Sequence, residues 1–229
     1  GRKKHRFPNL ACMKISAYNK KLNNNVVLKL DYDNLQEFDK VYISKVFLDT
    51  EIPKEILDLS NVKYGGTGFF YDKAQPLPFE VEHIMPDYTL YNNWVDEQLL
   101  KGVKKKDLKY YTDYSIGFTT RGCFRKCPFC VNQNYNKVEK HSPLEEFLDI
   151  CREKICLLDD NILGYKDWKV IIQQLKATNK PFQYKQGMDI RIITDEKAEL
   201  LVSCKYDEDY IFAFDDISDK DAIENKLKL

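Results

Sequence analysis

The sequence predicts an α/β protein built from two units: a small N-terminal unit over 1–90 and a second unit over 114–229, joined by a linker over 91–113. Two observations predict this class. Segments with helical periodicity alternate with short apolar runs rich in β-branched and aromatic residues, which is typical of parallel sheets covered by helices. The chain has 229 residues, 43% of them hydrophobic, which is enough for one large domain or two small ones with a buried core.

The first unit is predicted to be a small Rossmann-like arrangement. An amphipathic helix begins after Pro8 and Asn9, and a short helix covers 53–59. Strands are predicted at 25–30, 40–47 and 62–64. The glycine run at 65–68 follows the last of these strands. It lacks the Lys-Ser or Lys-Thr pair of a P-loop, so we expect a tight turn there.

The linker is expected to be a solvated loop. It contains a basic stretch over 101–106, KGVKKK. An alternative interpretation is that this stretch and nearby tyrosines contact RNA phosphates, which would make binding strongly dependent on salt.

The second unit repeats strand and helix four times, which predicts an incomplete (β/α) barrel. Strands are expected at 114–119, 155–158, 182–186 and 210–214. A capping box with proline predicts a helix from Ser142 to about residue 154. Further helices are predicted over 167–177, from Thr194, and from near Ser218 to the end of the chain.

Three cysteines lie close together directly after the first strand of this second unit. Cys123, Cys127 and Cys130 form a C-x3-C-x2-C motif in the run GCFRKCPFC. Three thiolates at this spacing suit an iron–sulfur cube that keeps one iron open for another ligand. A structural zinc site normally takes four protein ligands, and the candidates for a fourth, His141 and Cys151, have no suitable spacing.

The stretch GFTTRG at 117–122, the cysteine motif and the aromatic Phe129 before the last cysteine resemble the radical S-adenosylmethionine (SAM) superfamily. The resemblance implies that Cys123, Cys127 and Cys130 hold a [4Fe–4S] cluster whose open iron binds SAM. It also implies reductive cleavage of SAM to methionine and a 5′-deoxyadenosyl radical that modifies a substrate. Phe129 would then lie beside the adenine.

The family core is a partial barrel of six βα units, so we expect this chain to be a fragment that lacks about two of them. The first unit resembles the domain that precedes the barrel in cobalamin-dependent and methylthiotransferase-like members. The D-x-H-x-x-G motif of cobalamin domains is absent from the sequence, so cobalamin is not expected.

Polar residues follow three of the predicted strands, where α/β enzymes place their ligand-binding groups. The resemblance implies that the acidic group after the second strand lies near the amino group of SAM. It makes Arg191 a candidate for the SAM carboxylate, with Gln186 and Asp189 near ribose or substrate. The candidate cofactor-binding residues are Phe129, Asp159, Asp160, Asn161, Gln186, Asp189, Arg191 and Asp215.

Composition limits the partners and the compartment. Lys plus Arg and Asp plus Glu balance at 36 each, so bulk charge predicts no polyanion partner. No membrane span or signal peptide is visible, and seven cysteines, an odd number, indicate reduced thiols and a cytoplasmic protein. The expected partners are an electron donor such as flavodoxin or ferredoxin and an unknown substrate, either RNA or a protein side chain. The alternative function is a non-catalytic iron–sulfur or zinc module, or a truncated inactive fragment.

Overall fold

The computed structural model describes residues 7–227 and has a mixed α/β fold, which confirms the predicted class. The chain divides into two compact units, Gly1–Thr112 and Asp113–Leu229. Among the described residues, the sheets are small and do not close into a barrel. Within 7–227, no helix is both long enough and apolar enough to cross a bilayer.

The first unit contains two parallel strands and several helices. Strand β1 (Val41–Ser44) pairs in parallel with β2 (Val62–Gly65). Asn9 caps the first helix, since its side chain accepts a hydrogen bond from the backbone N–H of Cys12 at 3.1 Å. The helices are α1 (Leu10–Lys21), α2 (Lys54–Leu57), α3 (Thr67–Phe70), α4 (Phe79–Glu82), α5 (Asn92–Leu100) and α6 (Lys109–Thr112).

Two expectations for this part of the chain differ from the structure. Residues 25–30 form no strand, and most of them are exposed. The segment 91–113, expected to be a linker, contains α5 and α6 and contributes to an apolar cluster of the first unit. The segment is held by its buried aromatic side chains. Its lysines and asparagines made it look like a solvated loop in the sequence. The buried members of the cluster are Met13, Tyr88, Tyr91, Val95, Leu108 and Tyr111.

The second unit is built on a three-stranded parallel sheet. The sheet consists of β3 (Tyr114–Gly117), β6 (Lys154–Leu157) and β7 (Phe182–Tyr184), in the order β3-β6-β7. Two short strands, β4 (Thr120–Arg121) and β5 (Glu139–Lys140), pair antiparallel outside it. The helices are α7 (Trp168–Ala177), α8 (Asp195–Val202) and α9 (Lys220–Lys226), all close to their predicted positions.

The helix predicted from Ser142 to about residue 154 is wrong: the segment forms only a 3-10 turn, Leu144–Glu146. Pro143 keeps an extended backbone, and Phe147 leaves the helical region at φ −141°. The ring of Phe147 is 2% exposed and lies against Gly117, where an added Cβ would come within 2.3 Å of it. Burial of this ring over the end of β3 therefore competes successfully with local helix propensity.

The fourth predicted strand, 210–214, is also not a regular strand. It contributes a single parallel bridge, Met188 to Phe212, made by hydrogen bonds from Met188 N to Ile211 O and from Ala213 N to Met188 O, each 2.9 Å. A second isolated bridge joins Phe182 to Tyr206. The chain thus pairs once with β7, at Phe182, and once with the segment after β7, at Met188, and the exposed residues Glu208 and Asp209 lie between the two bridges.

The core of the second unit lies between its sheet and α7. Five residues of this core are fully buried: Ile172 and Leu175 on α7, and Ile155, Leu157 and Phe182 on the sheet. Complete burial of branched and aromatic side chains on both elements holds the strands in register. The carboxyl ends of β3 and β6 are thereby held side by side, with Gly117 opposite Leu157.

Candidate functional site

The three motif cysteines lie on one loop at the carboxyl end of β3. We call residues 122–138 the cysteine loop; it connects β4 to β5, which close its base through the pairs Thr120–Lys140 and Arg121–Glu139. Cys123, Cys127 and Cys130 are free thiols and half-buried. The loop therefore presents all three sulfurs near the edge of the sheet where βα proteins place their ligands.

Internal hydrogen bonds hold the second half of the cysteine loop. The backbone N–H of Cys130 donates to the carbonyl of Cys127 at 3.0 Å. The side chain of Gln133 donates to the carbonyls of Cys127, at 2.5 Å, and of Cys130, at 3.0 Å. Lys126 donates to the carbonyls of Gln133, at 2.6 Å, and of Tyr135. The ammonium of Lys126 thus links the first half of the loop to its second half.

Three N–H groups donate to the motif sulfurs. Cys123 Sγ accepts from the backbone N of Arg125 and from Asn161 Nδ2, both at 3.3 Å. Cys130 Sγ accepts from the backbone N of Asn132 at 3.4 Å. Such donors are a recognised means of stabilising the sulfur ligands of iron–sulfur clusters.

The thiol of Cys127 has a perturbed acidity. Burial raises the pKa of Cys127, and the negative charges of Cys130, Asp215 and Cys123 raise it further, against a lowering by Arg191. The neighbouring charges therefore oppose ionisation of Cys127 when no metal is bound. A cation bound among the three thiols would reverse this balance and deprotonate them.

The three residues that directly follow the end region of β6 each bind the chain that leads into the cysteine loop. Asp159, which is 2% exposed, binds Thr119 and Thr120. Asp160 accepts a hydrogen bond from the backbone N of Gly122 at 2.7 Å, and Asn161 contacts the sulfur of Cys123. Asp159 accepts from the backbone N of both threonines, at 3.0 and 2.6 Å, and from their hydroxyls, at 2.5 and 2.7 Å.

The structure gives Asp159 the geometry of a loop anchor. Burial raises the pKa of Asp159, while the hydrogen bonds from Thr119 and Thr120 oppose that rise. Four donors already occupy its oxygens, which leaves this candidate cofactor-binding residue little capacity for a ligand. Asp160 and Asn161 lie closer to the cysteines, and the Oδ1 atom of Asn161 is buried without a partner.

The candidates after β7 meet the cysteine loop through an ion-pair network. Asp189 is 5% exposed and accepts from Arg125 Nε at 2.8 Å and from Arg191 Nε at 2.6 Å. Burial alone would raise the pKa of Asp189, but the hydrogen bonds from Arg191 and Arg125 outweigh it and hold that pKa below its usual value. Arg191 also binds Asp219. Arg125 thus connects the cysteine loop to this network.

The remaining candidates lie on the surface. Phe129 is 63% exposed, and Gln186 and Asp215 are exposed as well. The influence of Asp215 on the pKa of Cys127 places its charge near the loop. The structure therefore brings Asp159, Asp160, Asn161, Asp189 and Arg191 together around the cysteine loop, and it leaves Phe129 and Gln186 open to solvent.

Several residues that shape the loop were missed in the sequence. Gly122 has φ +87°, and an added Cβ would lie 2.4 Å from the ring of Tyr135. Thr119 and Thr120 hold the loop through Asp159, and Gln133 closes its second half. A glycine directly before the first cysteine was the available signal, since a turn with positive φ favours glycine.

The donor set is suited to a cluster. Within residues 7–227, no three His, Cys, Asp or Glu side chains are arranged as they stand to hold one metal ion. A cube bound through three separate irons requires thiolates spread around it rather than converging on one point. Three half-buried thiols on one loop, with N–H donors at two of them, supply the type of ligand that such a cube takes.

In comparisons with known proteins, no protein-family model, curated protein or solved structure matches the chain.

Proposed function

We propose that this protein is a radical SAM enzyme that holds a [4Fe–4S] cluster through Cys123, Cys127 and Cys130. The observation that carries the proposal is the cysteine loop itself: three free, half-buried thiols at the carboxyl end of a parallel strand, anchored by the side chains that follow the neighbouring strand. When bound, the reduced cluster would supply one electron to cleave SAM to methionine and a 5′-deoxyadenosyl radical.

The residues of this chain would bind and orient the two cofactors. The three cysteines supply the sulfur ligands, and Asp160 and Asn161 lie next to the first of them. Arg191 and Asp189 present a cation and an anion beside the loop, groups that suit the carboxylate and the ribose or amino group of SAM. Asp215, Gln186 and Phe129 complete the proposed set, with Phe129 packing against adenine only once SAM covers its exposed ring.

The second unit would correspond to part of a radical SAM barrel, with the β3-β6-β7 sheet as its first three strands. An electron donor such as flavodoxin or ferredoxin would reduce the cluster. All seven cysteines are free, which fits a reducing compartment such as the cytoplasm. The substrate would be RNA or a protein side chain.

The test is anaerobic reconstitution with iron and sulfide, followed by reduction in the presence of SAM and analysis for 5′-deoxyadenosine. Wild type is compared with Cys127→Ala and with a Cys151→Ala control, which removes an exposed cysteine outside the motif. We expect 5′-deoxyadenosine from wild type and the control but not from Cys127→Ala. A stable cluster without SAM cleavage would favour a non-catalytic iron–sulfur module. Binding of stoichiometric zinc in place of iron would contradict the proposal.

A further inference from the structure

We propose that Asn161 is a positioning residue that holds the sulfur of Cys123 in place as a cluster ligand through an N–H···S hydrogen bond. The inference rests on the iron–sulfur cluster of the proposed function, but not on the cleavage of SAM. It concerns a side-chain amide that contacts a motif sulfur directly.

Contacts of the residue before Asn161 and of its own backbone carbonyl fix the position of Asn161. Its Nδ2 atom lies 3.3 Å from Cys123 Sγ, and the residue is 4% exposed. On one side, the carboxylate of Asp160 binds the backbone N of Gly122, the residue before Cys123. On the other side, the carbonyl of Asn161 accepts from Gly164 N at 3.0 Å and starts a 3-10 turn. The amide therefore has little freedom to leave the sulfur.

The other end of the same amide supports this assignment. Oδ1 of Asn161 is buried and has no hydrogen-bond partner. A buried polar atom without a partner is rare in folded proteins and calls for an explanation. Rotating the amide would bring Oδ1 against the sulfur, where a thiolate offers no proton, and would leave an N–H group unpaired. The orientation with Nδ2 toward Cys123 is thus the one that suits a thiolate.

The consequence for a bound cluster follows from the charge on the sulfur. An N–H donor stabilises negative charge on a ligand sulfur, and reduction adds negative charge to the cluster, so the donor favours the reduced state. Cys123 Sγ has two such donors, the backbone N of Arg125 and the side chain of Asn161, whereas Cys130 Sγ has the backbone N of Asn132. The Asn161 donor is therefore the one that a substitution can remove.

The experiment compares four full-length proteins after anaerobic reconstitution: wild type, Asn161→Asp, Asn161→Leu and Asn132→Ala. Asn161→Asp keeps the size of the side chain and removes the N–H group, while Asn161→Leu also removes the polarity. Asn132→Ala is the matched control, because its N–H···S bond comes from the backbone and survives the change. Two quantities are measured without SAM: the midpoint potential of the cluster and the rate of iron loss to a chelator.

We expect both Asn161 variants to have a lower midpoint potential than wild type and to lose iron roughly tenfold faster, the lower end of the effect seen for residues that support metal ligands. Asn132→Ala should match wild type in both. Thermal unfolding is recorded alongside, since a purely structural role would lower the melting temperature without moving the potential. Unchanged potential and iron loss in both Asn161 variants, or a wild type that binds no cluster, would overturn the inference.

The outcome is separable from the fate of the proposed function. If wild type holds a cluster whose potential depends on Asn161 but forms no 5′-deoxyadenosine with SAM, the enzyme assignment fails and the role of Asn161 stands. If wild type cleaves SAM and the Asn161 variants have the wild-type potential, the enzyme assignment stands and the inference fails.

Discussion

The carboxylate of Asp189 binds the guanidinium of Arg125 at 2.8 Å and so connects the turn after β7 to the part of the cysteine loop between Cys123 and Cys127. Asp189 has a side chain that is 6% exposed, and Arg191 occupies its other oxygen at 2.6 Å. The loop that carries the three thiols is thus held from two directions, by Asp159 and Asp160 after β6 and by Asp189 after β7. This arrangement would order the loop before any cofactor binds.

The Asp189 network predicts a pH-dependent contribution to stability. Its folded pKa lies below the unfolded value of about 3.9, so the stabilisation is fully present above that value and is lost as pH falls through the folded pKa. Asp189→Asn should lower the free energy of unfolding by about 2 kcal/mol at neutral pH. Urea unfolding of both proteins from pH 7 to pH 2 measures this.

The difference between wild type and Asp189→Asn should shrink below about pH 4, because wild type then loses the same charge. The charged groups that form ion pairs with Asp189 are Arg125 and Arg191, whose charges do not change over this range. A difference that stayed constant or grew toward acid would contradict the expected direction.

Removal of the Asp159 carboxylate should destabilise the chain segment at the base of the cysteine loop. Asp159→Ala leaves four donors of Thr119 and Thr120 without their acceptor in a buried setting, so we expect a loss of about 3 kcal/mol in the free energy of unfolding. Asp160→Ala removes one hydrogen bond from a half-buried side chain and should cost about 1 kcal/mol. Equal losses in urea unfolding would show that Asp159 is not the main anchor.

Gly122 tests whether loop shape controls cluster binding. Gly122→Ala combines a backbone at φ +87° with a Cβ that would lie 2.8 Å from the backbone carbonyl of Lys137, so the loop must move. The matched control is Gly102→Ala, at φ +81° with no atom within 4 Å of the added Cβ. Both should lose about 1 kcal/mol from backbone strain, but only Gly122→Ala should also lose iron after reconstitution. Iron content is assayed per chain, and full loading of Gly122→Ala would refute the expectation.

The contact between Gly117 and Phe147 predicts a rescue. Gly117→Ala places a methyl group 2.3 Å from the Phe147 ring and should destabilise the protein by about 2 kcal/mol through overpacking. Gly65→Ala, also at a strand position but with open space, should have little effect. In the double variant Gly117→Ala with Phe147→Leu, the smaller side chain makes room, so the combined loss should be less than the sum of the two single losses. Thermal melting of wild type, the two single variants and the double variant gives the coupling energy between positions 117 and 147. Strictly additive losses would contradict the contact.

Local patterns predicted the elements whose stability is local. The helices after Asn9, Asp167 and Thr194 form at their expected positions because caps and apolar periodicity act within one or two turns. The apolar runs of β3, β6 and β7 become buried parallel strands. The helix expected from Ser142 does not form, because burial of Phe147 over Gly117 overrides the capping pattern of the sequence. The strand expected at 210–214 does not form, because that segment makes a single bridge, from Phe212 to Met188 after the end of β7.

Periodicity and spacing along the chain were enough to predict the α/β class, the parallel strands, and the motif that places Cys123, Cys127 and Cys130 within a run of eight residues. The residues that hold this motif became visible in the folded chain: Asp159 and Asn161, 36 and 38 positions after Cys123, and Asp189 still further along. Parallel pairing of β3 with β6 brings these distant side chains to the same edge, and no local pattern encodes which donor each carboxylate or amide will meet there.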